Sequence, residues 1–457
     1  MDKLEFYYKS PSILQNIMIS VGKYYSDLKF RKYIDIINRE LEKTEKFSLN
    51  ELKELQREKL RKLIDVAYNN VEYYNNLFKK IKLHPSDIKD LEDLKKIPFL
   101  TKDDVKMNYK KLINYSIPAK RYFYSHTSGT TGSPLQFVMD NYTQAYYRSH
   151  IIRHRRWHGM KVGKDWCASF GGRRVVKNEK LPLWRYDFPD KLIIYSTYHM
   201  NDQNMFEYYK HIRKKKIKYI KGYPSNLFIF AKFLNNNGFK LPMKAVFTGA
   251  EPLYDFIRSE IEKAFLSEVS DFYGNSEETA RAYDCEYHNG LHVAMESIIM
   301  EIDNPDNDNF GEIIGTSLTN YAMPFIRYKT GDLTKILNKE CNCGRKHLLI
   351  ENVKTKREDI IYTKSGKYLS PSILTFPFKE IKHGVIERSK IIQENKGEIT
   401  ILIQKGINFE SGEIDKLVFE FNQLLNGDIN VKISFDEIPI DPEKKFRWVE
   451  NRVINEK

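Results

Sequence analysis

Nine consecutive residues, His126-Thr-Ser-Gly-Thr-Thr-Gly-Ser-Pro134, are the segment of this chain best suited to hold phosphates; eight of the nine are hydroxylated, glycine or proline. Glycines let a backbone approach an anion and turn its N–H groups toward it, and Thr127, Ser128, Thr130, Thr131 and Ser133 add hydroxyl donors without bulk. The segment is not a Walker loop, because Gly132 is followed by Ser133-Pro134 rather than by Lys and Ser/Thr. A polar surface turn has the same composition, so the company the loop keeps further along the chain decides between the two.

Four further motifs follow it. Gly222-Tyr-Pro-Ser225 and Thr248-Gly-Ala-Glu251 lie at strand-to-helix junctions, Tyr273-Gly-Asn-Ser-Glu277 follows a predicted strand, and Tyr328-Lys-Thr-Gly-Asp332 ends a β-rich stretch. Taken singly, each is a common turn. Cys285-Glu-Tyr-His288 and Cys341-Asn-Cys343 add four soft or borderline ligands in two short segments, the number and type that a structural Zn²⁺ takes, with His292 competing with His288 as the fourth. Unpaired buried thiols are the alternative reading. Cys167, between Trp166 and Ala168, reads as core, and four cysteines in 457 residues exclude a disulfide framework.

These residues need elements to hold them. Residues 1–115 read as a helical lead-in, clearest after Ser48, where Ser48 and Glu51 have capping-box spacing and Leu52, Leu55, Leu60, Leu63, Ile64 and Ala67 recur at helical intervals. A strand at 218–223, a helix over 226–236, a strand at 245–249 and a helix over 253–265 predict a doubly wound α/β core, in which ligands sit at the carboxyl ends of strands. After about 350, strands at 389–395 and 398–404 joined at Asn395-Lys-Gly397, a helix over 414–425 and a strand at 429–435 predict a small α+β module. The fold class is therefore α/β, with a large domain over 1–356 and a small C-terminal domain over 357–457.

Composition bounds the rest. At 41% hydrophobic residues the chain is globular rather than disordered. Its net charge of +14, from 75 Lys+Arg against 61 Asp+Glu, favours anionic ligands in general. The basic clusters at 153–156 and 213–218 read as solvated helix faces, so no nucleic-acid partner is expected. No run approaches the roughly 20 apolar residues of a membrane helix and the N-terminal residues form no signal core, so a cytoplasmic protein without membrane insertion is expected.

In their order and spacing the five motifs resemble the adenylate-forming superfamily of acyl- and aryl-coenzyme A synthetases, adenylation domains and luciferases. With Leu100-Thr-Lys-Asp-Asp, Gly-Tyr-Pro-Ser, Cys285-x-x-His288 and Cys341-x-Cys-Gly-Arg345, the chain is similar to the phenylacetate-coenzyme A ligase family, closest to its branch found in capsular polysaccharide biosynthesis. That resemblance implies the adenylate-forming fold, with a small domain that swings at Arg357–Asp359 between two half-reactions. Thr127, Ser128, Gly129, Thr130, Thr131 and Gly132 would hold the β- and γ-phosphates of ATP. Glu277 would bind Mg²⁺, which prefers only one or two protein carboxylates. Ser276 would stand beside it, Tyr273 and Gly274 would flank the adenine, and Gly249, Ala250 and Glu251 would complete the nucleotide site. Asp332 would accept hydrogen bonds from the ribose hydroxyls, with Arg357 a second anchor.

The tail motif of the family matches Asp441-Pro-Glu-Lys-Lys-Phe-Arg447, and Lys445 stands where a lysine bridges the incoming carboxylate and the α-phosphate. The usual glycine is absent there and Lys444 is adjacent. Leu135 stands where many superfamily members carry lysine, and Lys356 where a glycine precedes the hinge arginine. His126, Phe170-Gly-Gly172, Tyr198-His199, Tyr223 and Phe247 are candidates to line an acyl site.

The expected activity is ATP-dependent conversion of a small carboxylic acid to an acyl-adenylate and pyrophosphate. Transfer to a thiol, such as coenzyme A, or to an amine would follow. Acylation of an amino sugar without coenzyme A, and a nucleotide-binding homologue that has lost the chemistry, are the alternatives.

Overall fold

The computed structural model describes residues 3–126, 135–177, 180–251, 253, 255–305, 309–353, 361–365, 368–369, 374, 376–379, 381–382, 385–425, 427–438 and 448–453. The lead-in is helical as expected, with α1 (Lys3–Lys9), α2 (Ser12–Leu28), α3 (Arg31–Thr44), α4 (Leu49–Asn70), α5 (Glu72–Lys80) and α6 (Lys102–Met107). Helix α4 starts at the predicted capping box: the Glu51 N–H donates to the Ser48 hydroxyl and the Ser48 N–H donates to the Glu51 carboxylate. One stripe of α4, including Leu60, Leu63, Ile64 and Ala67, is buried in a cluster that also holds Val105, Phe137, Phe325 and Tyr328. The lead-in thus backs the segment that carries Tyr328-Lys-Thr-Gly-Asp332.

Among the described residues, β1 (Tyr122–His126) and β2 (Gln136–Asp140) form an antiparallel hairpin. It is followed by α7 (Asn141–Trp157). A six-stranded sheet is then built from β3 (Cys167–Phe170), β4 (Trp184–Asp187), β5 (Leu192–Tyr195), β6 (Tyr219–Gly222), β7 (Ala245–Phe247) and β8 (Val269–Ser270), in the order β4-β5-β3-β6-β7-β8. All its pairings are parallel except that of the edge strand β4. Strand β3 is buried at every position, as a parallel strand covered on both faces must be. Helices α8 (Asp202–Lys214), α9 (Pro224–Asn236) and α10 (Asp255–Phe265) share a core cluster with Ile220 and Val246 on one face. Helix α7 covers the other, where His154 and His158 bond Ser270. This is the doubly wound arrangement predicted.

Two antiparallel sheets complete the large domain. One starts with β9 (Phe272–Gly274), β10 (Arg281–Asp284) and β11 (Leu291–Val293). The other is β12 (Ile298–Asp303), β13 (Gly311–Ser317) and β14 (Tyr328–Thr334), after which β15 (Ile336–Leu337) and β16 (Leu349–Ile350) return to the first. Tyr328-Lys-Thr-Gly-Asp332 therefore runs inside β14 rather than ending a strand. Gly331, at φ 78°, and a register shift opposite, between Glu312 and Ile314, let the strand continue through the motif.

The small α+β domain has a hairpin of β17 (Ile361–Tyr362) and β18 (Tyr368–Leu369), and a sheet of β19 (Ile386–Gln393), β20 (Glu398–Lys405), β21 (Asn430–Phe435) and β22 (Val449–Asn451) in the order β21-β20-β19-β22. Burial alternates along β19 and β20. Their inward residues, among them Ile391, Ile399, Ile401 and Ile403, share a core with Leu417 and Phe421 of the helix Ser411–Leu425. The boundary expected at 356/357 lies outside the described residues. Among the described residues, no helix is long and apolar enough to cross a membrane.

Candidate active site

The phosphate-type loop springs from the β1/β2 hairpin, whose last pair is His126 with Gln136. Thr127, Ser128, Gly129, Thr130, Thr131 and Gly132 lie outside the described residues, and its base does not. Leu135, at the position of a departure from the family pattern, is 1% exposed and belongs to the apolar core of the lead-in helices. Here that position is an anchor. Next to it Phe137 packs edge-to-face on Phe325, and Phe325 packs the same way on Tyr328.

Tyr328 leads to the acids. Its hydroxyl donates to Glu277 Oε1 at 2.9 Å, and the Tyr273 hydroxyl donates to Asp332 Oδ2 at 2.9 Å. The two motifs are thus cross-bonded, the tyrosine of each holding the carboxylate of the other. The turn that presents Glu277 is built by Asn275, whose Oδ1 accepts from the N–H groups of Thr279 and Ala280 and whose amide donates to Thr279 Oγ1 at 2.6 Å. Strand β13 approaches this turn so closely that a Cβ on Gly315 would lie 2.3 Å from the Thr279 carbonyl oxygen. Any side chain at Gly315 would push the turn off β13, and Glu277 with it.

Glu277 is 7% exposed. Burial raises its carboxyl above the usual range, the bond from Tyr328 and the charge of Lys102 lower it, and Asp332 raises it again. Burial, reinforced by the carboxylates beside them, pushes both tyrosines up, so each stays a protonated donor at neutral pH. Lys102, a member of the entry motif, had no site role in the sequence reading. The backbone brings it here: Leu100 bridges to Tyr328, with its N–H donating to the Arg327 carbonyl and its carbonyl accepting from the Lys329 N–H, both at 3.0 Å. Gly274 lies in β9, and Ser276 is exposed on the turn.

Glu251 is buried, and its Oε2 accepts from the Ser225 N–H at 3.1 Å, at the start of α9 where unpaired backbone donors favour a carboxylate. Gly-Tyr-Pro-Ser and Thr-Gly-Ala-Glu are thereby joined. Gly249 is irreplaceable in this geometry, since a Cβ there would sit 2.3 Å from the Phe272 ring. Ala250 adopts φ 68°, which turns the chain toward Glu251. Thr248 Oγ1 donates to Asp271 Oδ1 at 2.7 Å, and burial raises Asp271 to about 7.

Known proteins resemble this chain over most of its length. Residues 361–452 match the family described as the CapK C-terminal domain. Protein CapK of Staphylococcus aureus is 26% identical over 456 residues, covering 98% of this chain and 99% of that protein. Phenylacetate-coenzyme A ligase of Escherichia coli is 26% identical over 381 residues, covering 76% of this chain and 80% of that protein. The solved structure of 2-hydroxyisobutyryl-CoA ligase with 2-HIB-AMP and CoA, in its thioesterification state, shares the fold at TM-score 0.58 and 18% identity, over 89% of this chain and 91% of that one. The chain has the fold of an adenylate-forming coenzyme A ligase and is similar to Protein CapK over nearly its whole length and to a phenylacetate-coenzyme A ligase over most of it.

Among the candidates for the acyl site, Phe170 is a packing residue, Phe247 lies under α7, and Tyr198 and His199 line a cavity. Phe170 is stacked between Tyr195 and Phe230, Phe247 is 1% exposed, and the Tyr198 hydroxyl donates to the Gly172 carbonyl. Tyr223 is partly buried and stands at the start of α9. His126 closes the hairpin below the loop. Arg357, the hinge around it, Lys444 and Lys445 lie outside the described residues.

The cysteines do converge, with one correction. The ligand atoms of Cys285, His292, Cys341 and Cys343 all lie within 4.8 Å of one another. His288 is not among them: its Nδ1 bonds Asp284 Oδ2 at 2.6 Å and its Nε2 faces Glu268 at 3.4 Å. At φ 51°, His288 stands in a left-handed turn that swings its ring toward those acids. His292 on β11 instead points its Nε2 at Cys343 Sγ, 3.4 Å away, and Cys285 Sγ lies 3.5 Å from Cys341 Sγ. A tetrahedron with Zn–S of about 2.3 Å and Zn–N of about 2.0–2.1 Å has edges of about 3.8 and 3.6 Å, so the donor set fits. Burial lowers His292 to about 3, which leaves the neutral imidazole that a metal requires.

Proposed function

We propose that this chain activates a small carboxylic acid with ATP, forming an acyl-adenylate and pyrophosphate, and then passes the acyl group to coenzyme A or to an amine. The crossed pair Tyr273–Asp332 and Tyr328–Glu277 carries the reading. Each carboxylate is held at a fixed position by a neutral tyrosine hydroxyl, which orients it toward a ligand without neutralising its charge. A carboxylate oxygen of the substrate attacks the α-phosphorus in line, the bond to the β-phosphate oxygen breaks, and pyrophosphate leaves with that electron pair. The protein's part is positioning and charge neutralisation.

Residues 127–132 bind the β- and γ-phosphates, Asp332 accepts from the ribose hydroxyls, and Glu251, Tyr273, Gly274, Ser276 and Arg357 complete the nucleotide site. Glu277 is the protein ligand for Mg²⁺, which supplies charge neutralisation on the phosphates. Lys445 bridges the carboxylate and the α-phosphate, and rotation of the small domain near Arg357 withdraws it after adenylation. Cys285, His292, Cys341 and Cys343 hold a structural zinc remote in role from the reaction.

Support for the second half-reaction is divided. The relatives named as coenzyme A ligases point to a thiol acceptor, whereas the match to Protein CapK over nearly the whole length of both chains favours transfer within cell-surface polysaccharide synthesis. Pyrophosphate exchange and hydroxamate formation with Mg-ATP over a panel of aromatic, fatty, hydroxy and polybasic acids test the first half-reaction, and absence of both across the panel sinks it. Acceleration by coenzyme A would select the thiol, and exchange without acceleration the amine.

A further inference from the structure

Two cations beneath α7, Arg155 and Lys221, have no anionic partner among the described residues, and both face one row of the six-stranded sheet. In that row Ser169 of β3, Lys221 of β6 and Phe247 of β7 are in register across parallel strands, which turns their side chains to the same face. It is the face under α7. Cys167 and Tyr219, two residues earlier on β3 and β6, cluster with Phe247 rather than with the core on the opposite side. Ser270, next in the row on β8, bonds His154 and His158 of the α7 segment.

Arg155 of α7 lays its guanidinium 3.6 Å from the centroid of the Phe247 ring, beside Lys221. It is 6% exposed, and its Nη1 is buried without a hydrogen-bond partner. Lys221 is partly buried and likewise has no hydrogen bond or ion pair among the described residues. The nearby acid, Asp190, is already engaged by Arg148 and Lys23. Burial lowers Arg155 to about 10 and also lowers Lys221, which Arg155 lowers further. Cations taken out of water without a counter-charge cost several kcal/mol, so such a pair is stable where an anion completes it.

The position says which anion. Lys221 immediately precedes Gly222-Tyr-Pro-Ser225, and Phe247 immediately precedes Thr248-Gly-Ala-Glu251, so the row lies just inside the carboxyl ends of the strands, where ligands enter this class of sheet. The reacting carboxylate must stay with the α-phosphate, so a group reaching the row belongs to the far end of the acid. We propose that Lys221 and Arg155 bind a second anionic group of the acid, so that the substrate is a carboxylic acid bearing a further carboxylate or phosphate-type group.

This rests on the adenylation reading, and the test separates the two. The full chain is assayed by pyrophosphate exchange with acids of equal length, glutarate against valerate, and with 3-phosphonopropionate to tell a phosphate-type group from a carboxylate. Thermal stabilisation by the same acids is read without nucleotide. The expected result is kcat/KM at least about tenfold higher for a dianion than for valerate, reversed in Lys221→Met and kept in Lys221→Arg. Stabilisation by the dianion should depend on Lys221 in the same way.

Exchange that favours valerate, or a preference unchanged in Lys221→Met, overturns the proposal and leaves adenylation standing. Lys221-dependent stabilisation without any exchange upholds the anion site and removes adenylation. Neither exchange nor stabilisation overturns both.

Discussion

The two ends of the candidate site treat charge in opposite ways. At the proposed nucleotide end, Glu277, in a turn fixed by Asn275 and backed by β13, and Asp332 on β14 each accept a bond from a tyrosine of the other's motif. At the proposed acyl end, Arg155 stands over Phe247 beside Lys221, and among the described residues neither has an anionic partner. A nucleotide offers every such enzyme the same ribose and phosphates, so its receptor can be finished before the ligand arrives. An acid differs from one enzyme to the next, and here the unfinished part of the receptor is cationic. Preorganisation marks the constant half of the reaction, and uncompensated charge marks the specific half.

The most damaging break is at the finished end. Glu277→Gln and Asp332→Asn keep shape and the tyrosine bonds while removing charge, so pyrophosphate exchange should fall by about 10²–10³ at saturating acid, with melting temperature little changed. Loss of folding in both variants would make these acids structural and undo the contrast.

A smaller effect belongs to a third polar cluster, closed on itself. Cys343→Ser should remove bound zinc and cost about 2–4 kcal/mol in unfolding free energy, and a chelator should lower the melting temperature of the unaltered protein alone. His292→Ala should release the metal and His288→Ala should keep it, by metal analysis of the purified proteins. The reverse result would return His288 to the ligand set that its Cys-x-x-His spacing predicts.

That correction shows where sequence reading stops. Motif order was enough for the fold class, the helical lead-in, the strand–helix alternation and the convergence of the cysteines, because each is carried by local pattern or spacing. Which histidine faces the thiols depends on one left-handed residue, His288, that spacing does not reveal. The partnership of Tyr328 with Glu277, and the arrival of Lys102 beside them, depend on sheet contacts between segments far apart in the chain. Lys221 and Arg155 were hidden in another way. Among 75 Lys and Arg residues, only the strand register and the ring of Phe247 distinguish them.

Between the two ends lies Asp271, bonded by Thr248 and raised by burial from 3.8 to about 7. The folded protein holds this proton more tightly than the unfolded chain does. Its contribution is therefore fully present below about pH 4 and is lost as pH rises through about 7. Asp271→Asn, which keeps an acceptor for Thr248, should be more stable than the parent by about 1–2 kcal/mol at pH 8 and indistinguishable from it near pH 4, measured by urea unfolding. Equal differences at both pH values would mean that Asp271 is ionised in the folded state.

The gentlest change probes the crossing itself. Tyr273→Phe and Tyr328→Phe delete one hydroxyl each and leave the rings packed, so each should lower exchange about tenfold, the loss of one charge-assisted bond. If the crossed pair holds both acids as one unit, the double variant should lose less than the product of the two single losses, because the first deletion already frees the turn and β14 to move apart. Independent, multiplicative losses would mean that each tyrosine merely fills its own site. In that case the nucleotide end would be two separate contacts rather than one finished receptor, and its contrast with the open cationic row would weaken accordingly.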